Sequence, residues 1–217
     1  LALPAVNLVK AGDLTLDQCA TVEFLAIGAH AVRRGGAGAK QRVLVIGAGP
    51  IGLGAALFAT IENAIVTVMD LDSSRLATTG SIVGASTILA SEEAMEAAHS
   101  LTDGEGFDVV FDATGNARSI ESGFEFVAHG GRYVMISVVK DRISFSDPDF
   151  HRKEMTLLGS RNATAADFEH VASSIGQGRV PVDRLVTHRT GLAGAARNLP
   201  IWATQKTGLI KALVELD

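Results

Sequence analysis

The chain has 217 residues, 47% of them hydrophobic and 20% charged, with a net charge of −5 and an isoelectric point near 5.7. An acidic balance argues against nucleic acid as a general partner, because phosphate binding wants a basic face. The single cysteine, Cys19, excludes an internal disulfide and a four-cysteine zinc site within the chain, and it suits a reducing compartment.

Residues 1–12 read as an extended lead-in, starting at Leu1 rather than Met. That start leaves open a fragment, a processed product or the ordered part of a longer protein. A helix is expected from Thr15, with Thr15 or Asp17 near its N-cap, running through Cys19, Val22 and Ile27 to His30 and Arg34. Gly35, Gly36 and Gly38 break it.

Val43-Leu44-Val45-Ile46 is then a short apolar run of the kind that forms a buried parallel strand, followed by Gly47, Gly49 and Gly52 at G-x-G-x-x-G spacing. Helix-forming residues follow from Pro50 to Thr60, with Pro50 near a first turn where proline is tolerated. Strand, glycine turn and helix together predict a site for a dinucleotide pyrophosphate. In it Gly47 allows the tight turn, Gly49 lets the backbone approach the phosphates and Gly52 lets the helix pack on the strand. Residues 43–61 lack charge over a length that could nominally span a bilayer. Gly47, Gly49, Pro50, Gly52 and Gly54 interrupt that run, so the strand-turn-helix reading is preferred and no membrane partner is expected. Without a secretory-signal pattern, a cytoplasmic protein is the default.

A second strand, Ala64 to Asp70, ends in an acid 18 residues beyond Gly52, close to the spacing of a carboxylate that binds the adenosine ribose hydroxyls. An acid there would repel a 2′-phosphate, so NAD is expected over NADP. Asp72 or Ser73 caps the next helix, Ser86–Leu89 is a short third strand, and Ser91 caps a helix whose first turn holds Glu92 and Glu93. Phe107 to Ala113 is a fourth strand, followed by Thr114-Gly115-Asn116 and a helix to about Ala128. His129-Gly130-Gly131 turns into a fifth strand, Arg132 to Val138, and a sixth runs from Met155 to Gly159. Alternating strands and helices imply α/β architecture: a doubly wound, Rossmann parallel six-stranded sheet with helices on both faces, plus a C-terminal helical and strand appendage. Ligands then sit at the strands' carboxyl ends, where Gly47–Gly52, Asp70, Thr114, Ser137 and Arg161 fall. The last third holds helices at Ala165–Gly176 and Leu192–Thr204, then an apolar run, Leu209 to Leu216, with no evident partner in the sheet.

With these elements in order, the chain resembles the nucleotide-binding and C-terminal portion of zinc-type medium-chain alcohol and polyol dehydrogenases, closest to the sorbitol and sugar-acid branch. The likeness covers essentially the whole chain. It rests on Val22-Glu23-Phe24-Leu25-Ala26-Ile27-Gly28-Ala29-His30-Ala31-Val32-Arg33-Arg34, on Val43 to Gly54, and on Met155-Thr156-Leu157-Leu158-Gly159-Ser160-Arg161-Asn162. The resemblance implies that Glu23 lies beside a catalytic zinc, holding its water or serving as an outer ligand, and that Arg161 lies on the substrate side. It also implies that Asp70 and Arg75 hold the adenosine ribose. Gly47, Gly49, Pro50, Ile51, Gly52, Thr114, Gly115 and Ser137 complete the expected NAD set. Phe24 replaces the proline that usually follows the glutamate. The family's N-terminal domain, with its Cys and His-Glu zinc ligands, is not in the sequence.

The expected division is therefore 1–23 as remnant or connector, 24–163 as NAD-binding domain, and 164–217 as a segment returning to a catalytic domain. The expected parent is an NAD-dependent, zinc-assisted dehydrogenase oxidising a secondary alcohol of a polyol or sugar acid. The chain itself should bind NAD without turning over substrate. The rivals are a zinc-free quinone or enoyl reductase, against which Asp70 counts, and a stand-alone NAD-sensing module. A homo-oligomer is expected through a sheet edge at Arg132 to Phe145.

Simpler readings stand beside these. Glu23 could pair with Arg33 or Lys40, His30 is expected as a hydrogen-bonded packing histidine, and Cys19 as a small buried hydrophobe. His151-Arg152-Lys153 reads as a solvated charge run, although it could meet a sugar-acid carboxylate. Met69, Met135 and Met155 are expected in the core, with Trp202 packing the penultimate helix.

Overall fold

The computed structural model describes residues 2–205 and 208–216. Helix α1 (Leu16–Gly35) starts at a capping box, in which Gln18 N–H donates to Thr15 Oγ1 and Thr15 N–H to Gln18 Oε1, and stops at Gly36 in the left-handed region. There follow β1 (Arg42–Ile46), α2 (Pro50–Ile61), β2 (Ile65–Asp70), α3 (Ser73–Val83), β3 (Ser86–Leu89), α4 (Ala94–Thr102) and β4 (Phe107–Asp112). The sheet is completed by α5 (Ala117–Gly123), β5 (Val127–Met135), α6 (Asp147–Arg152) and β6 (Thr156–Gly159). All six strands are parallel, in the order β3-β2-β1-β4-β5-β6. The chain reverses direction across the sheet between β1 and β4, which is where doubly wound folds open their ligand crevice.

Alternation along the buried strands feeds two cores. Val43, Val45, Val68, Val109 and Phe111 face a layer built on α1, α2 and α3, with Phe24, Leu25, Phe58 and Leu76. Leu44, Ile46, Met69, Val110 and Tyr133 face Ala98 of α4 and Ile120 of α5. Met69 and Met155 are core; Met135 is only partly buried.

Several boundaries differ from the sequence reading. Helix α5 ends at Gly123, and a single 3₁₀ turn, Phe124–Phe126, leads straight into β5. The expected turn at His129-Gly130-Gly131 is instead a bulge inside that strand. Gly130 takes φ +68° and its N–H donates to Lys153 C=O at 2.7 Å. Ser91 and the two glutamates lie ahead of α4, not in it: Ser91 Oγ accepts from Glu93 N–H, and no side chain caps the helix. Of the 132–145 region, 132–135 lie in β5, which pairs with β4 on one side and β6 on the other, and 136–145 form no strand. The outer strands are β3 and β6.

Beyond the sheet come α7 (Ala165–Gly176), α8 (Val182–Leu185), β7 (Val186–Gly191), α9 (Leu192–Thr204) and β8 (Lys211–Glu215). The C-terminal apolar run has no partner in the six-stranded sheet, as expected; β8 pairs in parallel with β7 in a separate two-stranded sheet, an arrangement the polar sequence of β7 concealed. Trp202 meets His188 of β7 edge-on, with ring centroids 5.4 Å apart. Arg189 of β7 is ion-paired to Asp17 of α1 and to Glu215 of β8. Among the described residues, no helix is long and apolar enough to cross a membrane.

Candidate functional site

The glycine turn between β1 and α2 is shaped by sterics. Gly47 has φ +100°, a conformation that side chains rarely adopt, and a Cβ on Gly52 would lie 1.7 Å from Gly47 O. Gly49, the N-cap of α2, behaves differently. Its φ of −73° and ψ of 178° suit any residue, and nothing among the described residues comes within 4 Å of where its Cβ would point. The protein gives no internal reason for glycine there, while a group lying against the backbone would. No side chain caps α2, and its first bond is donated by Leu53 N–H to Gly49 C=O. Ile51 and Gly52 therefore aim their N–H groups out of the helix start, and Pro50 contributes none. A dipole end with outward amides suits an anion.

Asp70, half-buried at the carboxyl end of β2, accepts from Ala48 N–H at 2.6 Å and from Asp72 N–H at 2.9 Å. It thus anchors the glycine turn while standing beside the cleft, a role its position in the sequence did not disclose. Asp72 caps α3, accepting from Ser74 and Arg75 N–H, and bonding from Ser74 Oγ and both amides holds its carboxyl below the usual range. The Arg75 Nε lies 3.8 Å from that carboxylate, half-exposed at the same corner.

On the other half of the cleft, Thr114 and Gly115 are exposed after β4, and Ser137 is half-buried after β5. A Cβ on Gly115, at φ +65°, would meet Ser137 Cβ at 3.6 Å. The space beside Gly47 is walled by Ala113 C and Thr114 Cγ2, each 3.2 Å from an added Cβ. The turns after β1, β4 and β5 are therefore assembled at one end of the sheet, with Asp70 and Arg75 flanking them.

Asp112, which sequence reading passed over, lies beneath this loop at 0% exposure. Its Oδ1 accepts from Thr114 N–H at 2.9 Å and Thr114 Oγ1 at 2.8 Å, and its Oδ2 from Ser119 Oγ at 3.1 Å. Burial pushes its carboxyl up, partly offset by those bonds. Burial, together with the nearby Asp112 charge, also drives the Tyr133 phenol far above its ordinary range. The available signal was an acid closing a strand, the same pattern that singled out Asp70.

Arg161 is exposed just after β6. Its neighbour Ser160 is 5% exposed, and among the described residues its Oγ is the buried side-chain polar atom left without a partner. Glu23 is not part of the strand-end group. It is exposed on α1 and lines a separate 460 Å³ groove with Leu8, Cys19, Val22, Thr164 and Phe168. Cys19 is half-buried in that groove rather than a core hydrophobe. Arg33 pairs with Asp167, not with Glu23. Asp167 Oδ1 accepts from Arg33 Nε at 2.7 Å, and Oδ2 receives His30 Nδ1 at 2.8 Å and Thr164 N–H at 2.8 Å. Burial raises the Asp167 carboxyl, but these donors prevail and hold it far below the carboxylate range. His30 is a packing histidine in this cluster. In the 151–153 run His151 and Arg152 are exposed, as a solvated charge run would be, with Arg152 in a surface pair with Asp149, while Lys153 is half-buried and its Nζ donates to the Glu125 and Val127 carbonyls. Among the described residues, no group of three His, Cys, Asp or Glu side chains could hold a metal. The donor set does not fit a zinc ion, and no chemical step is assigned to one.

A six-stranded parallel sheet with a glycine turn opening onto α2 and an acid closing β2 defines a Rossmann-type nucleotide-binding fold. Residues 50–177 match the family model described as zinc-binding dehydrogenase, and the chain belongs to that family. It is 35% identical to L-galactonate-5-dehydrogenase of Escherichia coli K12 over 99% of this chain and 63% of that one. It is 32% identical to sorbitol dehydrogenase of Bos taurus, over 94% of this chain and 58% of the relative. The chain thus spans about three-fifths of these relatives' length. The crystal structure of 2R,3R-butanediol dehydrogenase from Bacillus subtilis superposes with a TM-score of 0.88 at 24% identity, covering 95% of this chain and 59% of that chain, a likeness of fold.

Proposed function

We propose that residues 24–163 bind NAD for a dehydrogenase that oxidises a secondary alcohol of a polyol or sugar acid. Residues 1–23 and 164–217 would join them to a catalytic domain outside this chain. The observation that carries the reading is Gly49, a glycine with no steric or conformational need inside the protein, at the open start of an uncapped helix. Asp70 supports NAD over NADP, since a carboxylate at that corner accepts from ribose hydroxyls and repels a 2′-phosphate. It also counts against a reductase that prefers NADPH. The substrate class is suggested by relatives that act on galactonate and sorbitol.

In this reading the chain's residues do the following work. The amides at the start of α2 receive the pyrophosphate, Asp70 and Arg75 hold the adenosine ribose, and Thr114, Gly115 and Ser137 wall the nicotinamide half. Bound NAD would supply the hydride acceptor. Arg161 would lie on the substrate side, and Glu23, from its separate groove, beside any zinc held by residues beyond this chain, so the 217 residues alone would bind NAD without turnover. Copies would pair through the open edge of β6. Titration calorimetry of the chain with NAD and NADP tests the reading: NAD should bind, and NADP at least tenfold more weakly. Equal affinities, or none for NAD, would overturn it.

A further inference from the structure

Resting on the NAD reading, we propose that Asp112 is a positioning residue for the coenzyme: its buried carboxylate, by gathering Thr114 N–H, Thr114 Oγ1 and Ser119 Oγ, holds the loop after β4 in the shape that receives the nicotinamide half.

The loop has few other restraints. Thr114, Gly115 and Asn116 are all exposed, and Gly115 sits at φ +65°. From Asp112 the bonding passes outward: Asn116 N–H donates to Thr114 Oγ1 at 3.2 Å, and Asn116 Oδ1 caps α5 by accepting from Ser119 N–H at 3.1 Å. Loop, cap and first turn of α5 therefore converge on one carboxylate. The backbone beneath is rigid, since Ala113 N–H donates to Ile46 C=O and Ile136 N–H to Asp112 C=O. Deeper in α5, Tyr133 Oη donates to Ile120 C=O. The same loop walls the glycine turn through Thr114 Cγ2, so a loosened Thr114 would be felt where Gly47 bends.

A fully buried carboxylate with three donors and, among the described residues, no cation is a costly way to make a turn, because desolvation opposes the charge and each donor must offset it. Many loops of this length are held by backbone bonds alone. The arrangement is explained if the loop must already be ordered when ligand arrives, so that ordering is not charged against affinity. Asp70 serves the adenosine half from β2, and Asp112 serves the other half from β4, each an acid at a strand's carboxyl end.

The two halves separate the test. NAD spans both, whereas AMP needs only the Asp70 side. Calorimetry on the 217-residue chain should show Asp112→Ala weakening NAD about tenfold while AMP stays within about twofold, with Asp112→Asn intermediate because its amide keeps one acceptor oxygen. Thr114→Val, which removes one donor to the buried carboxylate together with the acceptor of Asn116 N–H and leaves the carboxylate in place, should weaken NAD about threefold and spare AMP; it stands in if Asp112→Ala fails to fold. Parallel loss of NAD and AMP, or no loss of NAD, overturns the role given to Asp112. An unaltered chain that binds AMP and NAD alike, with no gain from the second half, removes the nicotinamide-side reading and this inference with it.

Discussion

Gly49 and Gly52, three residues apart, should respond to the same methyl group in opposite ways. At Gly52 an added Cβ would stand 1.7 Å from Gly47 O and 2.9 Å from Gly47 C, both rigid backbone. Helix and turn would have to part by more than about 1 Å before the contact became ordinary. That places Gly52→Ala at the upper end of overpacking costs, about 3 kcal/mol, which lowers Tm by about 6–12 °C in a chain of this size. At Gly49 the Cβ meets nothing and the backbone is unstrained, so Gly49→Ala should leave Tm unchanged or raise it slightly by restricting the unfolded chain. Its methyl would instead stand where the pyrophosphate approaches. A clash of about 1–3 kcal/mol there corresponds to roughly a five- to 150-fold loss of NAD affinity. Scanning calorimetry gives the first quantity and titration calorimetry the second. If Gly49→Ala bound NAD as well as the unaltered chain, the pyrophosphate would not lie on this helix. A Gly52→Ala chain with an unchanged Tm would refute the packing argument.

Asp70→Asn removes the charge and leaves one acceptor oxygen for the two amides that Asp70 serves, so the NAD-to-NADP affinity ratio should fall about tenfold with a small loss of Tm; an unchanged ratio would mean that Asp70 only anchors the turn. Asp167→Ala should cost about 2–3 kcal/mol, less than breaking a fully buried pair because the Arg33 side chain is 56% exposed. The Asp167 carboxyl is held low in the folded state, so its stabilisation is present at neutral pH and lost as pH falls below the unfolded value of about 4. Urea unfolding should therefore show the gap between unaltered and Asp167→Ala chains narrowing progressively as pH falls from about 4 towards the low folded value, and a gap that does not narrow would contradict it. Ser160→Ala removes a buried hydroxyl with no partner and should be neutral or stabilising by up to about 1 kcal/mol, so a clear drop in Tm would reveal a hidden partner. Thr156→Lys, on the open edge at β6, should shift sedimentation of a paired species towards monomer, and an unmoved profile would remove this edge.

What the sequence disclosed follows from how local each signal was. Strand β1, the glycine turn and Asp70 were readable because apolar runs, glycine spacing and a strand-closing acid are patterns within some thirty residues. Strand β7 was missed because Val186-Thr187-His188-Arg189-Thr190-Gly191 is polar on its exposed positions and borrows its stability from β8, some twenty-five residues later. The edge was misplaced because strand order is a tertiary fact: β5 reads like any other strand until β6 lies beside it. Asp167, Arg33 and His30 meet across more than 130 residues, so no spacing announces them. Asp112 was visible but unmarked, since burial and three converging donors are what distinguish it from an ordinary acid.

The contact between α1 and α2 has a mechanical consequence. At Gly28 an added Cβ would lie 2.5 Å from both Ala55 N and Gly54 C, so the two helices touch main chain to main chain there. Such a joint has no cushion of side chains whose rotamers could absorb a displacement. A shift of the glycine turn, at the start of α2, is passed on to α1 as it would be through a welded bracket. It emerges at Glu23, about 7.5 Å along the helix axis from Gly28, on a different surface from the cleft.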